Sequence, residues 1–530
     1  MSHGRHGRTF RRMNLAGSFG VRPFAAVTSG FVLALAFPGP WSSQGWSYLA
    51  IPAITVSTLA FRGVSGRRAA LLAVVFALVF FGVTLTWLNV IGPDAWAALV
   101  LLSAILTVPI GPIIAWTSRS SSWPVFAAAS WVLVEAIRSR IPFGGFSWAR
   151  LAFATPGTPM ARIGSIGGAP LVSFAVALAG TLLAAGLINR RPTQRLVLIG
   201  AALAIVGAGL AIPTPTNGEH RGGAATATVA LIQGNVARPG IDFLGRPELV
   251  LTMHVQETIR LADDINHGRA LQPDFVVWPE NASDIDPLTV ADARNLIDTA
   301  AQTIDRPVLV GAVLTDPTDS NRLLNAGVVW DPATGPGAQY VKQHLVPFGE
   351  YVPFRSELAK WISRFNRVPR DFAPGQRPGV LSIAGIKIGD VICFEIAYDQ
   401  IPTETIRRGA RLLVVQTNNA TYGATTQPDQ QLAISRLRAI EHGRTVVIAS
   451  TSGISAVVAP DGRVVARAAT FTPAYIDRVV ALRDSITFAD RVGQAPEFVL
   501  VITPLIGLAM SWRRRRLRSE QESEEEVTGQ

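Results

Sequence analysis

The sequence predicts a bundle of about eight membrane-spanning helices joined to one external α/β domain. Composition is the first reason. Of 530 residues, 49% are hydrophobic and 16% are charged, which is too apolar for an ordinary soluble protein of this length. The apolar residues are also unevenly placed, in seven N-terminal segments and one C-terminal segment. Between them lies a polar block of about 280 residues, which is large enough for a globular domain.

Eight apolar segments are candidates for membrane spans, since a helix needs about 20 apolar residues to cross a bilayer. The segments lie at roughly 22–38, 46–61, 69–91, 95–116, 122–137, 168–188, 195–212 and 496–512. An alternative for the first segment is a signal peptide, because arginines precede it and Ala34-Leu35-Ala36 resembles a cleavage site. Its removal would leave the polar block on the same side of the membrane.

The distribution of arginine orients these segments. Basic residues stand before the first span, after the eighth, and in every second connection between spans, which the positive-inside rule places in the cytoplasm. They are Arg5, Arg8, Arg11, Arg12, Arg62, Arg67, Arg68, Arg119, Arg190, Arg191, Arg195, Arg513, Arg514, Arg515, Arg516 and Arg518. The polar block is then external. One external connection also carries arginines, at positions 138, 140, 150 and 162. We interpret it as a functional loop, with a miscounted span as the alternative.

Five regions follow from this placement. A cytoplasmic basic N-terminus occupies 1–21, a seven-span membrane domain 22–212, the external domain 213–495, the eighth span 496–512 and a cytoplasmic charged tail 513–530. The net charge of +11 is explained by membrane orientation and anionic lipid. The chain has no nucleic-acid-binding signature, so no nucleic-acid partner is predicted.

Strand-like and helix-like patterns alternate within the external block. Strands are predicted at 226–236, 274–277, 307–314, 326–330, 383–392, 412–416 and 445–458, the last followed by a hairpin turn at Asp461-Gly462. Helices are predicted at about 246–266, 287–304 and 427–442, with a short one after Asp399. Such alternation indicates a layered α/β architecture with a sheet covered by helices.

Three motifs in this block carry reactive groups. Trp278-Pro279-Glu280 and the only cysteine, Cys393, each follow a strand-like run, and open α/β sheets place chemistry at strand ends. A lone thiol is either a reactive nucleophile or an inert buried residue. The third motif begins at Lys342 and ends at Glu350, in a chain that has lysine at only two other positions. Together they predict a Glu280–Lys342–Cys393 triad. No phosphate-binding or dinucleotide-binding glycine motif and no metal-ligand spacing is present.

These motifs, in this order and within this membrane frame, resemble bacterial apolipoprotein N-acyltransferases, which are membrane-embedded members of the nitrilase superfamily. The resemblance includes the Arg-Ala-x-Glu-x-Gly-Arg run at 438–444 and covers about residues 20–512. Three features depart from the family pattern. Phe394 stands where tyrosine is common, and 418–423 read Asn-Asn-Ala-Thr-Tyr-Gly instead of Asn-Asp-Ala-Trp-Phe-Gly. A tryptophan expected after the first strand of the domain is absent, with Phe243 the nearest aromatic residue.

The resemblance implies an α-β-β-α domain that transfers an acyl chain from a phospholipid to the amino group of a diacylated apolipoprotein. Cys393 would form a thioester, Glu280 would act as base, and Lys342 would stabilise oxyanions. Glu350, Glu395 and Phe394 would support these three residues. The implied setting is the bacterial inner membrane, with a monomeric protein that needs neither a cofactor nor a metal. Two alternatives remain, a membrane-bound amidase acting on a small substrate and a non-catalytic scaffold for a glycolipid-synthesising partner.

Lipid access is predicted for a segment just after the lysine motif. Residues 358, 361, 362 and 365 are apolar at helical spacing, while basic residues lie on another side of the same helix, a pattern typical of segments that rest on a membrane. We therefore expect Trp361 and Phe365 to form an interfacial lid, with core packing as the alternative. Phe243 and Trp148 complete the predicted lipid-access residues.

Overall fold

The protein has a helical N-terminal region, a double-sheet domain and a long C-terminal helix. The computed structural model describes residues 20–214, 225–236, 247–361 and 370–528. The predicted fold class, a membrane helix bundle with an α/β domain, is confirmed.

Each predicted span coincides with a helix or a pair of helices. The helices are α1 (Val21–Leu35), α2 (Ala50–Phe61), α3 (Gly66–Thr84), α4 (Pro93–Thr107), α5 (Ile110–Thr117), α6 (Trp123–Arg138), α7 (Gly164–Ile188) and α8 (Pro192–Ala208). Within the described residues, five helical segments are long and apolar enough to cross a membrane: Gly66–Thr84, Pro93–Thr117, Pro159–Ile188, Pro192–Ala211 and the C-terminal Ala495–Gln521. Two shorter apolar helices, Val21–Leu35 and Ser47–Phe61, match the first two predicted spans.

Helix α7 is kinked where it meets the sheet domain. Gly168 has φ +68°, and a Cβ there would lie 2.8 Å from Oε1 of Glu441. Only glycine combines this backbone conformation with so close an approach. The apolar segment predicted at 168–188 begins at this kink, whereas the helix begins at Gly164.

Twelve strands of the described residues form two six-stranded sheets. The first sheet has the order β12-β1-β2-β3-β4-β5 and the second the order β11-β10-β9-β8-β7-β6. The strands are β1 (Thr226–Gln233), β2 (Phe275–Val277), β3 (Val308–Asp316), β4 (Asp319–Asp331), β5 (Gly335–Val341), β6 (Val380–Ile383), β7 (Ile386–Ile392), β8 (Leu412–Thr417), β9 (Val446–Ser450), β10 (Ala456–Val458), β11 (Val464–Arg467) and β12 (Ala474–Ala481). Strands β1, β2 and β3 pair in parallel, as do β7, β8 and β9, so the carboxyl ends within each set meet at one edge.

The two sheets pack face to face between two helical layers. Alternate apolar residues of both sheets, such as Leu231 and Val414, meet in the core between them. The remaining helices are α9 (Pro247–Asn266), α10 (Ala291–Ile304), α11 (Arg355–Trp361), α12 (Gln400–Arg407), α13 (Gln427–His442), α14 (Phe488–Val492) and α15 (Ala495–Thr528). Helices α9 and α10 pack against the first sheet. The outer face of the second sheet, helix α13 and the membrane helices share one apolar cluster. The α-β-β-α prediction is confirmed, and the second helical layer lies against the membrane domain.

The strand predicted at 445–458 is wrong as a single element. It is a hairpin in which β9 and β10 pair antiparallel, because the Ser-Thr-Ser-Gly run at 450–453 turns the chain within an otherwise apolar stretch. The turn at Asp461-Gly462 is confirmed between β10 and β11. Strands β5 and β12 had no strong pattern, since β5 begins Gly-Pro-Gly and β12 is an edge strand that contains Asp477 and Arg478.

Candidate active site

The three residues of the predicted triad follow three strand ends. Glu280 lies three residues after β2, Lys342 directly after β5 and Cys393 directly after β7. Glu280 and Lys342 are 4% and 1% exposed. Because β2 and β7 each run parallel to a neighbour in their own sheet, their reactive residues lie at strand ends where several loops converge.

Lys342 sits between two carboxylates. Its Nζ donates to Oε1 of Glu280 and to Oε1 of Glu350, each at 2.9 Å. Burial alone would lower the pKa of Lys342, but the two carboxylates outweigh burial and hold that pKa well above its usual value. The side chain is therefore a permanent cation beside the thiol.

Cys393 occupies a strained turn. Its φ is +54°, a left-handed conformation that costs a non-glycine residue about 1–3 kcal/mol and persists only where neighbouring contacts hold it. The Thr417 hydroxyl donates to the sulfur at 3.3 Å, and Nε2 of Gln431 donates to the Cys393 carbonyl at 3.2 Å. Burial, followed by the charge of Glu280, raises the pKa of the thiol to about 12, although Lys342 opposes this. The resting thiol is neutral at physiological pH and needs a base to become a nucleophile.

Glu395 ties the lysine loop to the cysteine turn. Its Oε1 accepts the backbone N–H groups of Gln343 at 2.7 Å and His344 at 3.0 Å, while Oε2 accepts that of Ile392 at 2.8 Å. The Tyr340 hydroxyl donates to both oxygens at 2.9 Å. Burial raises the pKa of Glu395 to about 7, opposed by Lys342 and by these donors. Its contacts are those of a residue that supports the site.

Phe394 is enclosed by aromatic rings from the membrane domain. Trp148 stacks on it with ring centroids 5.6 Å apart and an interplanar angle of 13°. Phe146 stacks similarly, at 5.7 Å and 18°. Trp148 is 2% exposed, so in this structure it lines the cysteine turn. A role for Trp148 in lipid access stays a prediction.

The other predicted lipid-access residues lie at or beyond the edge of the described chain. Trp361 is the last residue of α11, and Phe243 and Phe365 lie outside the described residues. Three described phenylalanines near the lysine motif form an exposed aromatic patch. Phe143, in the loop after α6, makes edge contacts with Phe348 and Phe354 at centroid distances of 6.1 and 6.0 Å. All three rings are at least 40% exposed.

Four residues of the site were not predicted from the sequence to belong to it. Asn325 on β4 donates through Nδ2 to Oε1 of Glu280 at 2.8 Å and to Oε1 of Glu350 at 2.7 Å. The Asn418 backbone N–H donates to Oε2 of Glu280 at 2.8 Å. Thr417 and Gln431 contact the cysteine, as described above. A lone amide within an apolar strand was the one available signal for Asn325, and nothing in the sequence pointed to Gln431.

The arginine-rich connection between α6 and α7 has a structural role. Arg138 donates to the carbonyl groups of Phe146, Trp148 and Ala149. Arg150 pairs with Asp399 at 2.8 Å and lies 3.5 Å from Glu135. These contacts shape the loop that carries Phe146 and Trp148, which explains basic residues on the side predicted to be external. Among the described residues, no group of three or more His, Cys, Asp or Glu is arranged to hold a metal.

Comparison with known proteins assigns the family. The model of the apolipoprotein N-acyltransferase N-terminal domain matches residues 29–182, and the carbon-nitrogen hydrolase model matches 223–485. An apolipoprotein N-acyltransferase of Mycolicibacterium smegmatis is 39% identical over 498 residues, which cover 90% of this chain and 83% of the relative. This chain belongs to the apolipoprotein N-acyltransferase family. A family member from Vibrio cholerae is 26% identical, with 94% of this chain and 98% of the relative aligned.

Two solved structures also align with the chain. A mutant of the Nesterenkonia AN1 amidase from the nitrilase superfamily aligns with 53% of this chain and 97% of its own, with TM-score 0.37 and 19% identity. Saccharomyces cerevisiae Nit3, a member of branch 10 of the nitrilase superfamily, aligns with 48% of this chain and 90% of its own, with TM-score 0.37 and 16% identity.

Family membership confirms the predicted activity class. The chain is an acyltransferase of bacterial lipoprotein biosynthesis, with a carbon-nitrogen hydrolase domain joined to apolar membrane helices. Its substrates are lipid and lipoprotein, and it is a bacterial membrane protein.

Proposed function

We propose that this acyltransferase moves an acyl chain from a membrane phospholipid, through a thioester on Cys393, to the α-amino group of the N-terminal S-diacylglyceryl-cysteine of a lipoprotein. The observation that carries this proposal is the buried Glu280–Lys342 pair beside a neutral thiol in a strained turn. A thiol of this kind reacts only when a nearby base takes its proton.

In the first half-reaction, Glu280 takes the thiol proton and the sulfur attacks the ester carbonyl of the phospholipid. Oε1 of Glu280 is occupied by Lys342 and Asn325, whereas Oε2 faces the Thr417–Asn418 segment that contacts the sulfur. Oε2 has a second lone pair and is the atom that accepts the proton. The tetrahedral oxyanion is stabilised by Lys342 Nζ and the backbone N–H after Cys393. The C–O bond then breaks, and the lysophospholipid oxygen takes the proton from Glu280.

In the second half-reaction, the lipoprotein amine attacks the thioester carbonyl. Glu280 takes a proton from the attacking nitrogen, the C–S bond breaks, and the proton returns to the thiolate. A thioester remains reactive toward amines, so burial that limits water favours transfer over hydrolysis. Glu350 holds Lys342 for both steps, and Asn325 holds the carboxylates of Glu280 and Glu350. Glu395 fixes the cysteine turn, and Phe394 packs that turn against the membrane domain.

The proposal includes location and domain limits. The catalytic domain at 213–495 lies on the outer side of the inner membrane, the first seven spans occupy 22–212, and both termini, 1–21 and 513–530, are cytoplasmic. The arginine distribution supports this orientation. The protein acts as a monomer. Trp361, Phe365, Phe243 and Trp148 guide the acyl chains from the bilayer to Cys393.

A trapped acyl-enzyme tests this mechanism. Purified full-length protein is incubated with phospholipid alone, and its peptides are examined by mass spectrometry. We expect one acyl mass on the peptide that contains Cys393, removable by hydroxylamine, and neither adduct nor turnover in Cys393→Ala. Normal turnover without any adduct in the absence of acceptor would contradict the thioester and indicate direct transfer.

A further inference from the structure

One glutamine of the catalytic domain, Gln430 in the first turn of α13, is bonded to four residues in three segments of the membrane domain. Its Oε1 accepts the indole N–H groups of Trp87 at 3.0 Å and Trp148 at 2.7 Å. Its Nε2 donates to the carbonyl oxygens of Pro38 at 2.9 Å and Thr84 at 3.0 Å. The amide thus uses both donors and both acceptor positions, and the side chain is buried.

Two short paths connect Gln430 to the cysteine turn. Trp148, held by Gln430, stacks on Phe394, which directly follows Cys393. The residue after Gln430 on the same helix, Gln431, donates to the Cys393 carbonyl. Two adjacent residues of α13 therefore bind the membrane domain, through Gln430, and the cysteine turn, through Gln431.

The strain at Cys393 gives these contacts a consequence for catalysis. A left-handed cysteine relaxes unless its surroundings hold it. Without the Gln430 amide, two buried indole N–H groups lose their acceptor, and Trp148 is free to move away from Phe394. A displacement of about 1 Å at a reacting atom can lower a rate by about a hundredfold.

We propose that Gln430 is a positioning residue through which the membrane domain completes the active site. It sets the place of Trp148 against Phe394, and thereby the geometry of the sulfur. The inference rests on the proposed role of Cys393 as nucleophile. It also implies that the membrane helices contribute to the chemical step as well as to anchoring.

The test is Gln430→Glu in the full-length protein, assayed from about pH 8 to about pH 6 with phospholipid and a diacylated lipopeptide. In this variant the ionised carboxylate at position 430 still accepts both indole N–H groups. Its second oxygen replaces the NH2 group and is repelled by the carbonyl oxygens of Pro38 and Thr84. Burial raises the pKa of such a carboxyl group, and protonation restores one donor. We expect kcat relative to wild type to be about tenfold lower at the higher pH, to recover partly at the lower pH, and KM to be unchanged.

Two further variants keep the test decisive. Gln302→Glu, at an exposed position on α10, is the matched control and should follow the wild-type pH profile. Trp87→Phe keeps an aromatic side chain but removes the N–H donor to Gln430, and should lower kcat by about threefold at every pH with little change in Tm. It decides the matter if Gln430→Glu does not fold.

Three results would overturn the proposal: a wild-type kcat in Gln430→Glu or in folded Trp87→Phe, a change in KM alone, or a loss in Gln430→Glu that is independent of pH. Failure of the thioester mechanism is distinguished separately, since it would show as the absence of an acyl adduct on Cys393 in the wild-type protein.

Discussion

At the scale of single residues, one carboxylate has two opposing effects on the thiol, since its charge disfavours the thiolate and its proposed role as base produces it. The carboxylate of Glu280 raises the pKa of Cys393 by its charge, yet the same carboxylate is the proposed base. Lys342 acts in the opposite direction on the thiol and remains protonated because Glu280 and Glu350 surround it. The resting thiol is therefore neutral, and in the proposed mechanism it becomes a thiolate only as it attacks the ester.

Glu280→Gln is expected to change thiol acidity and acyl transfer in opposite directions. Removing the negative charge lowers the pKa of Cys393, so the thiolate fraction at neutral pH rises and alkylation by iodoacetamide becomes faster. Removing the base lowers transfer by about a hundredfold or more. Both rates are measured on one preparation, with the pH profile of alkylation giving the thiol pKa.

The exposed carboxylate of Glu248 on α9 supplies the matched control. Glu248→Gln should leave alkylation and transfer as in the wild type. Slower alkylation in Glu280→Gln, or transfer at the wild-type rate, would be incompatible with Glu280 as base.

At the scale of elements, the cysteine turn at Cys393–Ala397 is held from several directions. Arg438 on α13 donates to the carbonyl oxygens of Ile396 at 2.9 Å and Ala397 at 3.0 Å, and pairs with Asp399 at 2.7 Å. The sequence marked Arg438 only as part of a motif. Its structural task, satisfying two carbonyl groups of a strained turn, becomes visible once the helix is packed on that turn.

The segment after the lysine motif has an exposed aromatic surface that fits a membrane-facing lid. Phe348 lies within the lysine motif and Phe354 lies near the start of the segment that follows it. Both rings contact the ring of Phe143, from the membrane domain, at the protein surface. Exposed aromatic side chains next to membrane helices are typical of interfacial contact. The residues predicted to follow in the same surface are Trp361 and Phe365.

Replacing Trp361 and Phe365 together by serine is expected to slow acylation of Cys393 from phospholipid bilayers by about tenfold, because the lid loses the apolar area that carries it into the leaflet. Alkylation of Cys393 by a small soluble reagent should be unchanged. Paired serine substitutions at exposed Leu288 and Val290, before α10, serve as the control. Equal losses in both reactions, or unfolding, would assign the segment to the core.

At the scale of the whole molecule, the sequence predicted more of the chemistry than of the assembly. Glu280 and Cys393 could be predicted because each follows a strand-like apolar run, and Lys342 because lysine is rare in this chain and stands in a charged motif. Asn325 was marked only as a lone amide within an apolar strand, and Gln431 was not marked at all, since an amide gains its role only from the groups that packing brings to it. Gln430 is the extreme case, with partners 282 to 392 residues away in sequence.

The membrane and catalytic domains are joined by buried contacts as well as by the chain. One apolar cluster runs from the membrane helices to the second sheet. Arg150 of the α6–α7 connection pairs with Asp399, which also pairs with Arg438, so charge pairs continue from one domain to the other. Buried pairs of this kind fix the relative arrangement of the parts they join, since breaking one leaves a charge uncompensated.

Reporter fusions test the orientation of this assembly. Arginine clusters precede the first span, follow the last, and occupy alternate connections, which predicts cytoplasmic termini and an external catalytic domain. A reporter active only outside the cytoplasm should therefore work when fused at about residue 220 or 480 and fail at about residue 65 or 520. A cytoplasm-specific reporter at the same positions is the control and should give the inverse pattern. The opposite pattern, with activity of the first reporter at about residues 65 and 520 and none at about 220 and 480, would mean that the predicted span count has the wrong parity, and would place Cys393 on the cytoplasmic side.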